Sequence, residues 1–124
     1  ALSLPASADC VDPPRPNVDW SGAGCKKIGK LLSDRDLKNA NMNKAIVSRS
    51  DFSESDLTDA TMVDTDMSRT DFRKAVLIRA DMSRADAYRT DFTGADLTEA
   101  QLVKTLLYRA YLTGAKLTRA TMTK

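Results

Sequence analysis

The 124-residue chain contains no histidine, two cysteines, four prolines, five glycines and one tryptophan. Histidine-based catalysis is therefore excluded. The few glycines form no phosphate-cradling run of the G-x-x-x-x-G-K-[ST] kind. No stretch of eighteen apolar residues occurs, so no membrane-spanning helix is expected. Neither sign of charge dominates: nineteen Lys and Arg against seventeen Asp and Glu leave +2, too near balance for bulk charge to predict nucleic acid or an anionic membrane as partner. What remains suits one small domain, because 42% apolar and 29% charged residues are enough for a single core.

The N-terminal part differs in composition from the rest. Residues 1–8, Ala1-Leu2-Ser3-Leu4-Pro5-Ala6-Ser7-Ala8, end in an A-x-A pattern. Two readings are open: the trailing end of a secretory signal cleaved after Ala8, or an ordinary Ala/Ser/Pro terminus. Cys10 and Cys25 then flank a loop carrying Pro13, Pro14, Pro16, Gly22 and Gly24, which is no regular helix or strand throughout. A Cys10–Cys25 disulfide would clasp this loop and contribute about 3 kcal/mol in an oxidising compartment. A pair of free buried thiols is the alternative, and two cysteines without histidine supply half the ligands of a usual zinc site. Residues 1–31 thus read as an N-terminal segment and cap. Trp20 and Lys26–Leu32, with a short helix in this cap, are expected to form a lid over residues 32–124.

From Leu32 onward one apolar residue recurs every fifth position, through Leu37, Met42, Val47, Phe52 and on to Met122, and this register takes all five methionines and all three phenylalanines. Two positions earlier, from Ala40 to Ala120, all seventeen residues are Ala, Ser or Thr. A helix turns about 100° per residue, so a five-residue repeat would smear its apolar stripe around the cylinder. Two inward residues separated by one are strand-like, but the next inward residue follows two outward ones, which puts a corner in every repeat. The chain is thus a succession of very short extended segments joined by turns.

Stacked coils place like beside like, so the number of segments per circuit is legible in the large inward residues. Identity occurs in eight of fifteen pairs at a lag of twenty, three of sixteen at fifteen and six of eighteen at five. Phe52, Phe72 and Phe92 form one column; Leu37, Leu57, Leu77, Leu97 and Leu117 a second; Met42, Met62 and Met82, with Leu102 and Met122, a third. Four pentapeptides per circuit give a four-sided coil rising about 4.8 Å each time, and residues 32–124 make between four and five circuits.

Units such as Ala80-Asp81-Met82-Ser83-Arg84 and Ala95-Asp96-Leu97-Thr98-Glu99 resemble the A-[D/N]-L-x-x signature of pentapeptide-repeat proteins. The resemblance implies an all-β, right-handed quadrilateral β-helix. Val76, Leu106, Tyr111 and Lys116 depart from it where Asp or Asn is typical, as does Ala87 at a large inward site. Solenoid ends need closure; no lid comparable to the N-terminal one follows Met122, so a second copy is expected to cover the C-terminal coil as a homodimer.

Any function then lies on the outer surface. Arg49, Arg69, Arg89 and Arg109 fall on one edge, one per coil, beside Ser48, Ser68, Tyr88 and Tyr108. Asp51, Asp71 and Asp91 follow around the corner and are expected to interleave with the arginines as an ion-pair ladder. Arg109 is the exception, since Tyr111 follows it; with Arg89, Tyr88 and Tyr108 it makes a basic and aromatic patch suited to an anionic protein partner. Asp59, Arg79, Glu99 and Arg119 alternate in sign and read as a solvated ladder. The aspartate column lacks a glycine-rich calcium repeat, and a convex prism offers no carboxylate pair across a cleft. No metal, cofactor or enzymatic activity is expected.

The resemblance implies two functional readings. One is a non-enzymatic scaffold in an exported compartment, periplasm or thylakoid lumen, mediating protein–protein interaction, without nucleic acid or a membrane span. The other is a DNA mimic that binds DNA gyrase, of the quinolone-resistance kind. Of the seventeen residues closing units 40–124, eleven are basic and four acidic, the reverse of the charge a mimic needs.

Overall fold

A computed structural model describes residues 10–124; the A-x-A segment at residues 1–8 lies outside them. The backbone winds as a four-sided coil. One circuit is marked by four parallel bridges, Asp36↔Asp56, Asn41↔Thr61, Ile46↔Asp66 and Asp51↔Asp71, each joining residues twenty apart. The same pairing recurs up to Gln101↔Thr121. Each side is too short for a continuous strand, so the sheet on each face is a stack of single bridges.

The five backbone N–H groups of a repeat each have a task. In the unit containing Met42, the Met42 N–H donates to the Thr61 carbonyl (2.8 Å) and the Lys44 N–H to the Val63 carbonyl (2.9 Å) in the next coil. The Asn41 N–H donates to the Val18 carbonyl below, and the Ala45 N–H closes a β-turn on the Met42 carbonyl at 3.0 Å. The third turn residue has positive φ, 64° at Lys44 and 60° at Arg49, as a type II turn requires. The fifth group, the N–H of the second turn residue, donates to the side chain two residues before it: Asn43 to Asn41 Oδ1, Ser53 to Asp51, Ser68 to Asp66 and Thr93 to Asp91, all at 2.9–3.0 Å. This Asx-type bond is the physical reason for Asp or Asn at the bridging position.

Inside the coil the large residues stack. Phe52 and Phe72 lie 5.3 Å apart and Phe72 and Phe92 5.5 Å, with interplanar angles of 15° and 4°. Leu37, Leu57, Leu77 and Leu97, and Met42, Met62 and Met82, are fully buried, whereas Leu117 in the last coil is half-buried and Met122 is exposed. At the small inward position, hydroxyls serve the coil below: Ser55 donates to the Leu32 carbonyl (2.6 Å), Thr65 to that of Met42 (2.7 Å) and Thr90 to that of Met67 (2.6 Å). Ala, Ser and Thr are thus selected there both by size and by an available carbonyl.

The N-terminal region corrects one expectation: no helix occurs among the described residues. Lys26–Leu32 is laid down as further rungs, with bridges Lys26↔Ile46 and Leu31↔Asp51 and a corner at Gly29, φ 66°. Five prolines and glycines in the preceding loop, and pairing partners available in the coil above, favour bridges over a helix. The disulfide Cys10–Cys25 is present, with Cα atoms 5.2 Å apart. Val18, Trp20 and Cys25 are buried in the core. The Trp20 indole N–H donates to the Asp12 carbonyl at 2.9 Å, and Lys27 Nζ sits 4.4 Å from the ring centroid while donating to the Cys10 carbonyl at 2.6 Å. Burial there, with Lys30 nearby, pushes the Lys27 ammonium below its ordinary pKa.

Candidate functional site

The corner residue of every turn projects from the prism, and the twenty-residue period piles these residues into four columns. Three of the columns mix their signs. In one, Arg79 pairs with Asp59 at 2.8 Å and Arg119 with Glu99 at 3.0 Å. In another, Arg84 pairs with Asp64 at 3.0 Å. A third runs Glu54, Lys74, Gly94 and Gly114. The fourth begins at Gly29 and is uniform above it: Arg49, Arg69, Arg89 and Arg109, all in the left-handed conformation with φ of 54–60° and all exposed.

The expected pairing of Arg49, Arg69 and Arg89 with Asp51, Asp71 and Asp91 does not form. Among the described residues none of the four arginines makes an ion pair. The aspartates turn instead toward their own turns, each accepting at Oδ1 from the N–H two residues on. Asp71 also takes Arg73, 2.7 Å away, a residue of the neighbouring turn whose place outside the corner columns gave no sign of this pairing in the sequence. Partial burial raises the Asp71 pKa, but the Arg73 side chain and backbone hydrogen bonds outweigh it and hold the carboxyl below its ordinary value.

What holds the arginines is aromatic. Tyr88 and Tyr108 stack with centroids 5.9 Å apart and an interplanar angle of 16°. The Arg69 guanidinium lies 5.9 Å and that of Arg89 5.4 Å from the Tyr88 centroid, and Arg109 lies 5.3 Å from that of Tyr108. Such contacts contribute about 0.5–1 kcal/mol each at exposed sites, enough to bias a guanidinium plane without removing its charge. Arg49 has no ring, because Ser48 and Ser68 occupy the corresponding places. Arg69, Arg89 and Arg109, with Ala110 and Tyr111, line a shallow open depression of about 660 Å³. Tyr111 is 58% exposed and Tyr108 66%. Tyr111 stands where the column below carries aspartates, and that break in the column is the sequence signal for its place in the depression.

The depression contains no carboxylate, thiol or aliphatic hydroxyl among its lining residues. Its chemistry is that of several guanidinium donors next to phenol rings, suited to recognising anionic groups.

A family model described as Pentapeptide repeats (8 copies) matches residues 36–73, 55–94 and 90–124. Among solved structures, a pentapeptide repeat protein from the Arabidopsis thaliana thylakoid lumen is similar, with 27% identity and a TM-score of 0.73 over 74% of this chain and 64% of that one. HetL, a pentapeptide repeat protein involved in heterocyst differentiation regulation from the cyanobacterium Nostoc, shares 22% identity with a TM-score of 0.50 over 85% of this chain and 60% of its own. The chain therefore spans less than two thirds of either relative's length. No curated protein matches the sequence.

Proposed function

The chain belongs to the pentapeptide-repeat family, and we propose that it is a non-enzymatic scaffold of an exported compartment, docking a protein partner along the Arg49–Arg109 edge. The carrying observation is the contrast between corner columns. Two neutralise their arginines with stacked acids, whereas the fourth repeats arginine on four successive rungs and, among the described residues, pairs none of them. Like charges one rung apart, about 4.8 Å, repel, so a stack of four is a cost that a bound anionic surface would relieve.

The disulfide and the thylakoid-lumen origin of the similar Arabidopsis protein support an exported location, periplasm or thylakoid lumen. Mimicry of duplex DNA, the second reading, would need a run of negative charge where this edge carries positive charge. Lining residues limited to guanidiniums, a phenol and an alanine methyl support a binding role over a catalytic one.

The test is affinity capture from lumenal or periplasmic extract with the wild-type chain and an Arg89→Glu, Arg109→Glu variant of unchanged thermal stability. Loss of the captured species in the variant is expected. Equal capture by both would reduce the edge to surface structure.

A further inference from the structure

We infer that the partner presents an extended, acidic polypeptide segment that lies lengthwise on the Arg69–Arg89–Arg109 edge. This rests on reading that edge as the docking surface, and names what it reads.

Three observations select this ligand. First, the Arg89 and Arg109 guanidiniums lie over tyrosine rings and enter no ion pair among the described residues, so their N–H donors are left to match a carboxylate bidentately. Second, three arginines on successive rungs span about 10 Å along the coil axis, the length of roughly three residues of extended chain. A short run of Asp or Glu laid along the axis therefore meets them in turn. Third, the edge is narrow. The faces on either side carry aspartates, Asp66 and Asp86 before the corner and Asp71 and Asp91 after it. Each accepts a turn N–H through Oδ1, which fixes the carboxylates as two rails beside Arg69 and Arg89, with Asp71 alone among them already paired, to Arg73. A broad polyanion such as a nucleic-acid duplex would press its phosphates on both rails, whereas a single acidic chain touches the arginines alone. Tyr108 and Tyr111 flank the upper end with exposed rings that cover the segment's backbone.

Fluorescein-labelled hexaglutamate, titrated with the whole protein at low salt and followed by anisotropy, tests this. Saturable binding is expected, weakened about tenfold or more in the Arg89→Glu, Arg109→Glu variant. The neutral Arg89→Gln, Arg109→Gln pair should lose most of the same affinity. A Lys44→Glu, Lys104→Glu variant, with the same charge change on a different corner column, should bind like wild type, and labelled hexaglutamine should not bind. Absence of saturable binding, or equal loss in the lysine variant, would overturn the inference. So would labelled oligothymidylate binding more tightly with the same arginine dependence, which would make the edge a nucleic-acid site. If hexaglutamate fails while extract capture still depends on Arg89 and Arg109, the acidic segment falls and the docking surface stands; if neither depends on them, both fall.

Discussion

Each bridging aspartate solves a local problem, since a turn buried under the next coil has one N–H left without a backbone acceptor. The bond from the Thr93 N–H to Asp91 Oδ1, 2.9 Å, answers it. Asp91→Ala should therefore cost about 0.5–1.5 kcal/mol in urea unfolding, and Asp91→Asn much less, because Asn41 already makes the same bond; equal losses for both would refute this role. Acid acts on bridging and corner aspartates alike. Hydrogen bonds from Arg79 to Asp59 and from Thr98 to Asp96 depress those carboxyls, and at Asp56 the Thr58 and Lys38 bonds outweigh the opposing effect of burial. Folded values below the ordinary 3.8 mean that this stability is complete above the unfolded value and disappears as pH falls through the folded ones. The urea midpoint should stay level from neutrality to about pH 5 and drop below about pH 4; a drop beginning near pH 6 would point to other groups. The sequence shows where these aspartates stand but not which way they turn: Asp91 is two residues from both Arg89 and Thr93, and the turn N–H, fixed in place and short of an acceptor, outcompetes a flexible guanidinium.

At the scale of a coil, stability comes from residues twenty apart lying over one another. Phe72 has a phenyl ring on each side, whereas Phe92 has Phe72 below and the half-buried Leu112 above. Phe72→Ala should cost ~3–5 kcal/mol, more than Phe92→Ala; the reverse order in denaturant midpoints would contradict the stacking. The first rungs depend on the Cys10–Cys25 clasp, whose fifteen-residue separation corresponds to about 3 kcal/mol. Reduction should shift Trp20 emission to the red while far-UV dichroism is largely kept, since the loop that accepts the indole N–H is released; unchanged emission would show that the loop holds without its bridge. The inward columns were legible because one size of side chain is required at every rung. The rungs before Leu32 were not, because Lys27 stands one repeat earlier in place of a large apolar residue and Lys30 and Arg35 replace the small inward one. In the structure Leu32 is buried and Leu31 is 80% exposed.

For the whole molecule, the fold converts a sequence period into lines of charge. The arginine line was visible in the sequence; its lack of ion pairs was not, since that depends on Arg73 reaching Asp71 and on the tyrosine rings beneath the Arg69, Arg89 and Arg109 guanidiniums. Column geometry underlies both the edge and its proposed ligand. It is tested most directly by nitroxide labels on cysteine pairs introduced at outward turn positions, with the native disulfide left oxidised. Ile78 and Thr98 lie one rung apart, joined through the Arg79 N–H to the Thr98 carbonyl at 2.9 Å. The Ile78→Cys, Thr98→Cys pair should show strong spin exchange at room temperature, and the Ile78→Cys, Thr93→Cys pair, fifteen residues apart and around a corner, should show none. Strong exchange in the second pair and its absence from the first would contradict a circuit of twenty.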